Sequence, residues 1–549
     1  MRLVAATALA AATVLLAPAW AQTQAQTQTQ APARTTAAAP PSVPAPGATA
    51  ATAPDPLRAA CGEIPDAEHL TLERVIASTL DNHPRVRRAE LAAEAARART
   101  TAARGAFDPT LGADGRQMLA GTYRDREGLV SVDSQTPWAG LRVGAQYRYH
   151  AGDIPDYYGY RETGSAGELM ARAELPLLEG RRTDPARTAL AIANQHAEVA
   201  ELELLFEQLD VARQAALAWW SWKMALEILV IRADLLAIAD ERVDMVGAQV
   251  ASGAMAPIED VEARRTRLQR QSLLVEALRD VDLTAAELSF WLRSTDGARR
   301  SPDPCDRPDW PDASRTHHQL TQLLRAGGAD GLSRPDIARL EPLREVARAR
   351  EALAVNRILP VLDVRGWAAS QLGTDLPRPD RVDAGVGLRF ALPLGNRAAR
   401  GERDAASAEA DRITFEQRLL IDAMERDLEI AIARLNRALE RLTLVSDEVA
   451  TLRTLEAAER IAWQSGESTL FVVNLRELAT AEARELEVRA LRDVFQSAID
   501  LRATRGDAPE TWANPLAPNT ERGDGLTPGY GVPTRQPEQQ PEQQPEPPQ

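Results

Sequence analysis

Beyond its first residues, the sequence lacks any run of about 20 uncharged apolar residues, the length that a membrane-spanning helix needs. The apolar run at the start, residues 3–16, is too short to span a bilayer. It follows Arg2 and precedes Ala19-Trp20-Ala21, a small-x-small sequence that a signal peptidase cleaves. We therefore predict a signal peptide over residues 1–21 and an exported chain that begins near Gln22. If this chain enters a membrane, it must do so as β-strands.

Cysteine is also scarce, since the chain contains only Cys61 and Cys305. Neither residue directly follows the predicted cleavage site, so the sequence does not indicate the lipid anchor of a bacterial lipoprotein. In an exported chain, two cysteines form a disulfide more often than they remain free thiols. A disulfide is therefore the expected state, and two free thiols are the alternative.

Residue patterns of enzymes and of metal or cofactor sites are missing. The six histidines are scattered, and the pair His317-His318 has no carboxylate or cysteine at metal-ligand spacing. No serine stands in a nucleophile elbow, and Gly385-Val386-Gly387 lacks the third glycine of a dinucleotide site. The net charge of −15 argues against a nucleic-acid partner, because phosphate binding calls for a basic face. We expect no enzyme activity, no cofactor and no resident metal.

Both ends of the chain are of low complexity. Residues 22–56 are mostly Ala, Gln, Thr and Pro, and residues 532–549 repeat Pro-Glu-Gln-Gln. Such sequences cannot bury enough apolar surface to offset the entropy that ordering costs. We predict a disordered N-terminal linker over 22–60 and a disordered tail over 506–549.

Between these ends, one order of elements occurs twice. In each repeat a helix leads into a β-rich stretch, then a long helix, a tight turn and a shorter helix. The sequence therefore predicts a tandem repeat rather than several unrelated domains. The first repeat covers 61–293, with helices over 70–104, 185–250 and 257–292 and β-structure over 107–178. Residues 294–334 link it to the second repeat. The second repeat covers 335–505, with helices over 335–357, 397–463 and 470–505 and strands over 359–394.

The two long helices carry a coiled-coil pattern, in which apolar residues alternate three and four apart. At 1.5 Å per residue, each helix of about 66 residues would be roughly 100 Å long. We interpret a group of tryptophans in the first helix as packing residues of the helical wall rather than a ligand cage. The seams are Leu202, Leu205, Leu209, Ala212, Ala216, Trp219, Trp222, Leu226, Leu229, Ala233 and Leu236, and Ile421, Met424, Leu428, Ala431, Leu435, Ala438, Leu442, Val445, Val449 and Leu452; the tryptophans are Trp219, Trp220 and Trp222.

The strand sequences alternate apolar and polar residues in the pattern of a transmembrane barrel wall. Lipid tolerates only helices and closed barrels, so these strands must join a closed structure. We expect two long strands per repeat, about four in all, whereas single-chain barrels begin at eight. The chain must therefore oligomerise. The apolar faces are Leu141, Val143, Ala145, Tyr147 and Tyr149; Leu169, Ala171, Ala173, Leu175 and Leu177; and Val386, Leu388, Phe390 and Leu392.

The first repeat contains three strand candidates, near 109–118, 139–150 and 167–178. An odd number of strands would place the following helix on the wrong side of the membrane. The middle candidate must then extend a neighbouring strand or form an external hairpin, and the sequence leaves both alternatives open.

Several local motifs, in this order and spacing over about residues 66–505, resemble the TolC family of outer-membrane factors. They are Leu70-Thr71-Leu72-Glu73 with Asn82-His83-Pro84; Leu175-Pro176-Leu177-Leu178-Glu179-Gly180-Arg181 and Leu392-Pro393-Leu394-Gly395-Asn396-Arg397, where strands pass into long helices; and Gly253-Ala254-Met255-Ala256-Pro257-Ile258-Glu259 and Gly466-Glu467-Ser468-Thr469-Leu470-Phe471 with Asn474-Leu475-Arg476-Glu477, at the two turns.

The resemblance implies a mainly α fold with membrane β-structure. Each tandem-repeat protomer would contribute long coiled-coil helices and about four strands. Three protomers would form a 12-stranded β-barrel in outer-membrane lipid, standing on a long α-helical tunnel in the periplasm. The implied function is the outer-membrane channel of a tripartite efflux system, opened by docking to a periplasmic adaptor and an inner-membrane transporter. Type I protein secretion is an alternative, and a periplasmic coiled-coil scaffold that never enters the membrane is another.

The resemblance also implies roles for individual residues. Adaptor docking is expected at the two turns and the helix starts behind them: Ser252, Gly253, Pro257, Ser465, Gly466 and Leu470. Family members close the tunnel with acidic residues after these turns, where this chain has Glu259 and Asp260 in the first repeat but Val472 and Leu475 in the second. The gate is therefore acidic, apolar or both, unless Glu259 and Asp260 only complement a helix N-terminus. The linker 294–334 would join a belt around the tunnel, which makes a Cys61–Cys305 disulfide plausible.

Overall fold

The structure, a computed structural model, describes residues 70–120, 124–152, 163–305, 311, 320–321, 334–373 and 382–512. The predicted signal peptide and N-terminal linker, His317-His318 and residues 513–549 of the predicted tail lie outside these residues. The disorder predicted from residue 506 is wrong at its start, because Pro509–Trp512 forms a 3-10 helix and Trp512 is buried in the helical core. The helices are α1 Leu72–Asn82, α2 Pro84–Arg104, α3 Pro185–Ala251, α4 Pro257–Trp291, α5 Pro335–Ala338, α6 Leu340–Asn356, α7 Arg397–Gln464 and α8 Leu470–Arg505; the strands are β1 Thr110–Gln117, β2 Asp125–Gln135, β3 Arg142–Gly152, β4 Glu168–Pro176, β5 Val361–Gln371 and β6 Val382–Ala391.

The single helix predicted over 70–104 is wrong, because the chain breaks between α1 and α2 at His83. Pro84 lacks a backbone N–H and disfavours helical backbone in the residue before it. His83 accordingly takes an extended conformation, with φ −76° and ψ 132°. Its Nδ1 then accepts a hydrogen bond from the Arg85 N–H at 3.3 Å, which caps the new helix. The helix predicted over 335–357 is likewise interrupted, at Arg339.

The long helices α3 and α7 match their predicted bounds to within one residue, at 67 and 68 residues. Helix α3 begins where the Asp184 carboxylate accepts from the Arg187 N–H at 2.9 Å and Pro185 occupies the first helical position. Each long helix ends in a glycine with positive φ, 77° at Gly253 and 82° at Gly466. This is the left-handed conformation in which glycine ends a helix without steric cost.

The helices α4, α3, α8 and α7 pack side by side in that order, and most residues of the predicted seams lie in their core. Leu205 of the α3 seam is an exception, because it is exposed. Among the seam residues of α7, Met424, Ala431, Leu435, Leu442 and Val449 are buried and the others are half-buried. No helix within the described ranges is both long and apolar enough to cross a lipid bilayer.

The tryptophans of α3 pack in the helical wall, as predicted, and each is buried. Trp219 donates its indole N–H to the Leu70 carbonyl at 2.9 Å. Trp220 stacks on Phe495 of α8, with ring centroids 3.9 Å apart and planes 9° apart. Lys223 is buried beside them, with its ammonium 5.0 Å from the Trp219 ring centroid and 5.2 Å from that of Trp220. Aromatic rings thus surround the cation in the middle of α3.

The six strands form one antiparallel sheet in chain order, β1 to β6, so the predicted count of about four strands is wrong. The middle candidate of the first repeat is a full strand, β3, and not an extension or an external hairpin. The unpredicted strand β2 restores an even number of crossings before α3. Its sequence hides it, because Leu129 shares a face with Glu127 and Ser131, which breaks the apolar–polar alternation.

A tight turn joins β2 to β3. Its central residues, Ala139 and Gly140, both have positive φ, 51° and 73°. Leu141 closes the turn by donating its N–H to the Trp138 carbonyl at 2.9 Å. Two central residues with positive φ fit the right-handed twist of a two-residue hairpin. The turn leaves Trp138 largely exposed at the helix-side end of the sheet.

Packing in the helical core yields the first prediction. Trp222 is 0 % exposed, whereas Trp138 is 76 % exposed. Trp222→Ala should lower the free energy of unfolding by about 3–5 kcal/mol, because it opens a large cavity. Thermal unfolding of the detergent-solubilised protein, followed by far-UV circular dichroism, would measure the change. Trp138→Ala is the matched control and should leave the midpoint nearly unchanged; equal losses in the two variants would contradict a wall built on the tryptophans.

Candidate functional site

The sheet has two chemically different faces, which the strand register defines. Residues that face each other across neighbouring strands share a side, so the pairs Tyr147–Leu169 and Val364–Leu388 belong to one side and Arg148–Glu168 to the other. We call the first side the outer face and the second the inner face. Every exposed large apolar side chain of the described strands lies on the outer face: Leu111, Val130, Val132, Val143, Tyr147, Leu169, Val382, Val386, Leu388 and Phe390.

The inner face carries charges of both signs, which pair between adjacent strands or, for Arg172 on β4 and Asp133 on β2, across one intervening strand. The Arg172 Nε donates to the Asp133 Oδ1 at 3.0 Å, and an Arg148 nitrogen lies 3.3 Å from a Glu168 oxygen. These pairs make the inner face hydrophilic while limiting its net charge. The other pairs are Arg116 with Asp125 at 2.9 Å and with Glu127 at 3.1 Å, and Arg365 with Glu174 at 3.3 Å.

The two helix-to-helix turns, Ser252-Gly253 and Ser465-Gly466, are built alike. Each serine hydroxyl donates to the carbonyl three residues earlier at 2.9 Å. The residue after each glycine donates its N–H to a carbonyl five residues earlier at 2.8 Å. A Cβ added to either glycine would meet nothing within 4 Å, so the positive φ alone requires glycine there. Pro257 and Leu470 then begin α4 and α8.

The four candidate gate residues occupy different surroundings. Glu259 and Asp260 lie in the first turn of α4, and an Asp260 oxygen pairs with the Arg264 guanidinium of the same helix at 3.0 Å. Val472 is half-buried in the first turn of α8, and Leu475 is exposed one turn later. Leu475 lines a cavity of about 110 Å³ between α4 and α8. The acidic pair thus lies at the start of α4 and the apolar pair at the start of α8.

Behind the turns, one buried carboxylate joins the four helices α3, α4, α7 and α8. Glu477 of α8 is 2 % exposed. Its oxygens accept from Arg242 of α3 at 2.7 and 2.8 Å and from Arg270 of α4 at 2.8 Å, and Arg460 of α7 lies 3.5 Å away. We call these four residues the Glu477 junction. Arg242 and Glu477 each lie 11 residues from the nearer turn glycine, Gly253 or Gly466.

The Glu477 junction is charge-assisted, and Glu477, Arg242 and Arg270 are buried. Burial by itself raises the pKa of the Glu477 carboxyl, but the hydrogen bonds from Arg242 and Arg270 outweigh it, so the pKa lies below the ordinary value. In the sequence, Glu477 stands out only as part of the motif Asn474-Leu475-Arg476-Glu477, which gives no sign of this role. Arg242 and Arg270 are distant in sequence, and no spacing rule connects them with Glu477.

Helices α4 and α7, which flank the packed set, each carry a second apolar stripe. On α4, Val261, Leu268 and Val275 recur every seven residues, and Leu268 is 62 % exposed. Buried Ala277 lies nine residues from Leu268, which places the two on opposite sides of the helix. On α7, exposed Leu444 is likewise nine residues from buried Leu435, and Phe415, Leu419, Ile430 and Leu455 extend the exposed stripe.

The structure covers one of the two cysteines of the predicted disulfide. Cys305 is disulfide-bonded, and no cysteine in the described part of the chain is free. Cys61 lies outside the described residues, so the pairing of Cys61 with Cys305 stays a prediction. Among the described residues, no group of three or more His, Cys, Asp or Glu side chains is arranged to hold a metal ion.

The fold is similar to that of known outer-membrane proteins. VceC of Vibrio cholerae has a TM-score of 0.55 and 15% identity, over 80% of this chain and 96% of that one. The CmeC channel of Campylobacter jejuni has a TM-score of 0.54 and 12% identity, over 80% of this chain and 86% of that one. The open state of the MtrE channel of Neisseria gonorrhoeae has a TM-score of 0.54 and 14% identity, over 82% of this chain and 94% of that one. No protein-family model and no curated protein sequence matches the chain.

At these identities the likeness shows the fold alone. The chain has the fold of the TolC-type outer-membrane factors, which confirms the fold that the sequence motifs implied. The difference from the expectation lies in the six strands of the sheet.

The Glu477 junction yields a prediction about stability and pH. Glu477→Gln leaves buried guanidinium groups without a counter-charge and should cost about 3–5 kcal/mol in unfolding free energy at neutral pH. Because the folded pKa of Glu477 is lowered, its contribution is complete above the unfolded value near 4.5 and is lost as the pH falls through the folded pKa. Thermal unfolding measured from pH 7 down to pH 3 should therefore show the two proteins converging at acidic pH.

The control for this prediction is Glu262→Gln. Glu262 pairs with Arg265 on the surface of α4, and the change should alter stability by less than about 0.5 kcal/mol. A Glu477→Gln protein as stable as the control at pH 7 would contradict a structural role for the junction.

Proposed function

We propose that this chain is the outer-membrane channel of a tripartite efflux system and that it works as a homotrimeric, passive conduit. The observation that carries the proposal is the two-faced sheet, apolar outside and charged inside, joined to helices about 100 Å long. An apolar outer face suits lipid, and a charged inner face suits a water-filled path. Such a conduit needs no bond chemistry.

The sheet ends in two free edges, β1 and β6, within the described residues. Lipid requires every backbone polar group to be paired, so these edges must find partners. Because the number of strands is even, β1 and β6 run antiparallel, and β6 of one copy can pair with β1 of the next in a closed ring. Three copies of a six-stranded sheet give a barrel of eighteen strands rather than the twelve first expected. Barrels of that size leave an aqueous channel.

The exposed stripes on α4 and α7 support the same ring. In a head-to-tail arrangement, the α4 stripe of one copy faces the α7 stripe of its neighbour, and both leave water. The neighbour contact then has the seven-residue spacing of a coiled coil on α4. A periplasmic scaffold would account for these stripes, but it would leave the apolar outer face of the sheet in water.

Docking at the helix turns would open the conduit. A tunnel end closed by packed helices is a two-state element, and an adaptor opens it by binding the open form more tightly. We place adaptor docking at Ser252, Gly253 and Pro257 and at Ser465, Gly466 and Leu470, with an inner-membrane transporter completing the system. The gate combines an acidic ring from Glu259 and Asp260 with an apolar constriction from Val472 and Leu475. The acidic ring would raise the local cation concentration.

The direct test combines the mass of the purified protein in detergent with its single-channel conductance in a planar bilayer. We expect three chains per particle and a small, cation-leaning conductance from a closed resting state. A monomer that never inserts would overturn the channel and leave the scaffold as the better account.

The neighbour contact gives a separate prediction. Leu268→Asp combined with Val275→Asp places carboxylates in the α4 stripe and should shift the protein from trimer toward monomer. Light scattering coupled to size-exclusion chromatography would measure the shift. Gln269→Asp adds one carboxylate about 100° around the helix from Leu268 and should leave the trimer intact. A stable trimer of the double variant would show that another surface joins the copies.

A further inference from the structure

A cavity of about 810 Å³ lies over the half of the inner face nearest the helices. It spans the starts of β1 and β3, the end of β2 and the middles of β4 and β5. Its volume falls in the range of small-molecule sites. We call it the Trp367 cavity, and its lining includes Trp367, Arg142, Arg172, Arg365, Met170 and Asp108.

The indole of Trp367 lies directly on the neighbouring strand. Gly385 faces Trp367 in the β5–β6 register, and a Cβ added to Gly385 would lie 2.7 Å from the indole Cε2 and Nε1. Any larger residue at position 385 would therefore push the ring away. The ring is half-buried in this position, and it forms an aromatic platform on the inner wall.

The arginines around this platform differ in whether they already pair with a carboxylate. Arg172 is bound to Asp133, and Arg365 is paired with Glu174. Arg142 is exposed, and within the described part of the chain its guanidinium has neither a hydrogen bond nor an ion pair. A guanidinium in this state is suited to a carboxylate or sulfonate, which it can bind through two parallel hydrogen bonds.

Distance then selects the charge of the ligand. Arg142 is two strands and two register positions from Trp367, or about 12 Å between backbones at the usual strand spacings. The cavity's exposed carboxylate, Asp108, precedes β1, which is four strands away or about 19 Å. A bicyclic aromatic ligand stacked on Trp367 can reach Arg142 but not Asp108. A second negative charge would find no further unpaired cation among the described lining residues.

We propose that the Trp367 cavity binds planar aromatic monoanions, stacked on Trp367 and paired with Arg142. The proposal rests on the proposed function, because the inner face is the lining of the conduit. It deepens that function by naming a class of transported solute. Binding at such a site must be weak enough for the solute to leave again.

The test uses the full-length protein in detergent, with 2-naphthoate as the probe and binding followed by saturation-transfer NMR and calorimetry. We expect 2-naphthoate to bind more tightly than cyclohexanecarboxylate, which lacks the ring system, and than 2-naphthylmethylammonium, which has the opposite charge. Trp367→Leu and Arg142→Gln should each raise the Kd on the order of five- to tenfold. Arg389→Gln is the matched control, since Arg389 is on the inner face beside Asp363 and outside the cavity.

A second variant guards against misfolding of Trp367→Leu. Gly385→Ala leaves every charge in place but displaces the indole, and it should also weaken binding of 2-naphthoate. Tighter binding of the ammonium probe, or equal affinities of the wild type and the three cavity variants, would overturn the proposal.

Current block in a planar bilayer separates this proposal from the function on which it rests. If the channel conducts but 2-naphthoate neither binds nor blocks it, the site fails and the conduit stands. If 2-naphthoate binds in detergent with the expected variant pattern but no channel forms, the conduit fails and the site stands.

Discussion

The arrangement of the long helices depends on one buried carboxylate. Glu477 meets a guanidinium from each of the other three long helices, close behind the turns that join them. A buried ion pair of this kind adds little net stability compared with apolar packing, but breaking it is costly. Its effect is therefore on position, because the helices keep their register only where the three arginines can reach the same two oxygens. The apolar seams would tolerate a one-turn slip that the Glu477 junction does not.

A second constraint is that the chain leaves much apolar surface uncovered. The outer face of the sheet and the stripes on α4 and α7 place large apolar side chains in contact with solvent in the single chain. These surfaces differ in their chemistry. The apolar residues of the sheet face spread over neighbouring strands, whereas the helix stripes have the spacing of helix partners. The single chain thus exposes apolar surfaces of two kinds, a sheet face and helix stripes.

Local patterns predicted most of the fold. The seams of α3 and α7 and the glycines at the turns gave helix bounds within one residue, since each signal lies within a few residues of sequence. The strand β2 was not predicted, because Leu129 lies on the charged face and breaks the alternation of apolar and polar residues. Its pairing partners β1 and β3, rather than its own alternation, make it a strand. The break at His83 was readable from Pro84, but the helical periodicity on both sides concealed it.

The candidate sites were less predictable than the fold. The glycine turns follow from local geometry, since both glycines take a positive φ. The Glu477 junction and the contact of Trp367 with Gly385 join residues that only the tertiary arrangement brings together. A buried charge, or a glycine beneath an aromatic ring, produces no repeating sequence pattern from which its contact could be predicted. The docking and gate assignments depend on surfaces that a single chain does not contain.

The buried ammonium of Lys223 has a consequence for chemical labelling. Lys223 is the only lysine in the chain, whose other basic side chains are arginines and histidines. It is enclosed by α3 tryptophans and is 4 % exposed. In the folded protein, an acylating reagent therefore finds the terminal amine but not a side chain. A second acyl group per chain would report that the middle of α3 has opened, which makes amine acylation a selective probe of unfolding in the wall.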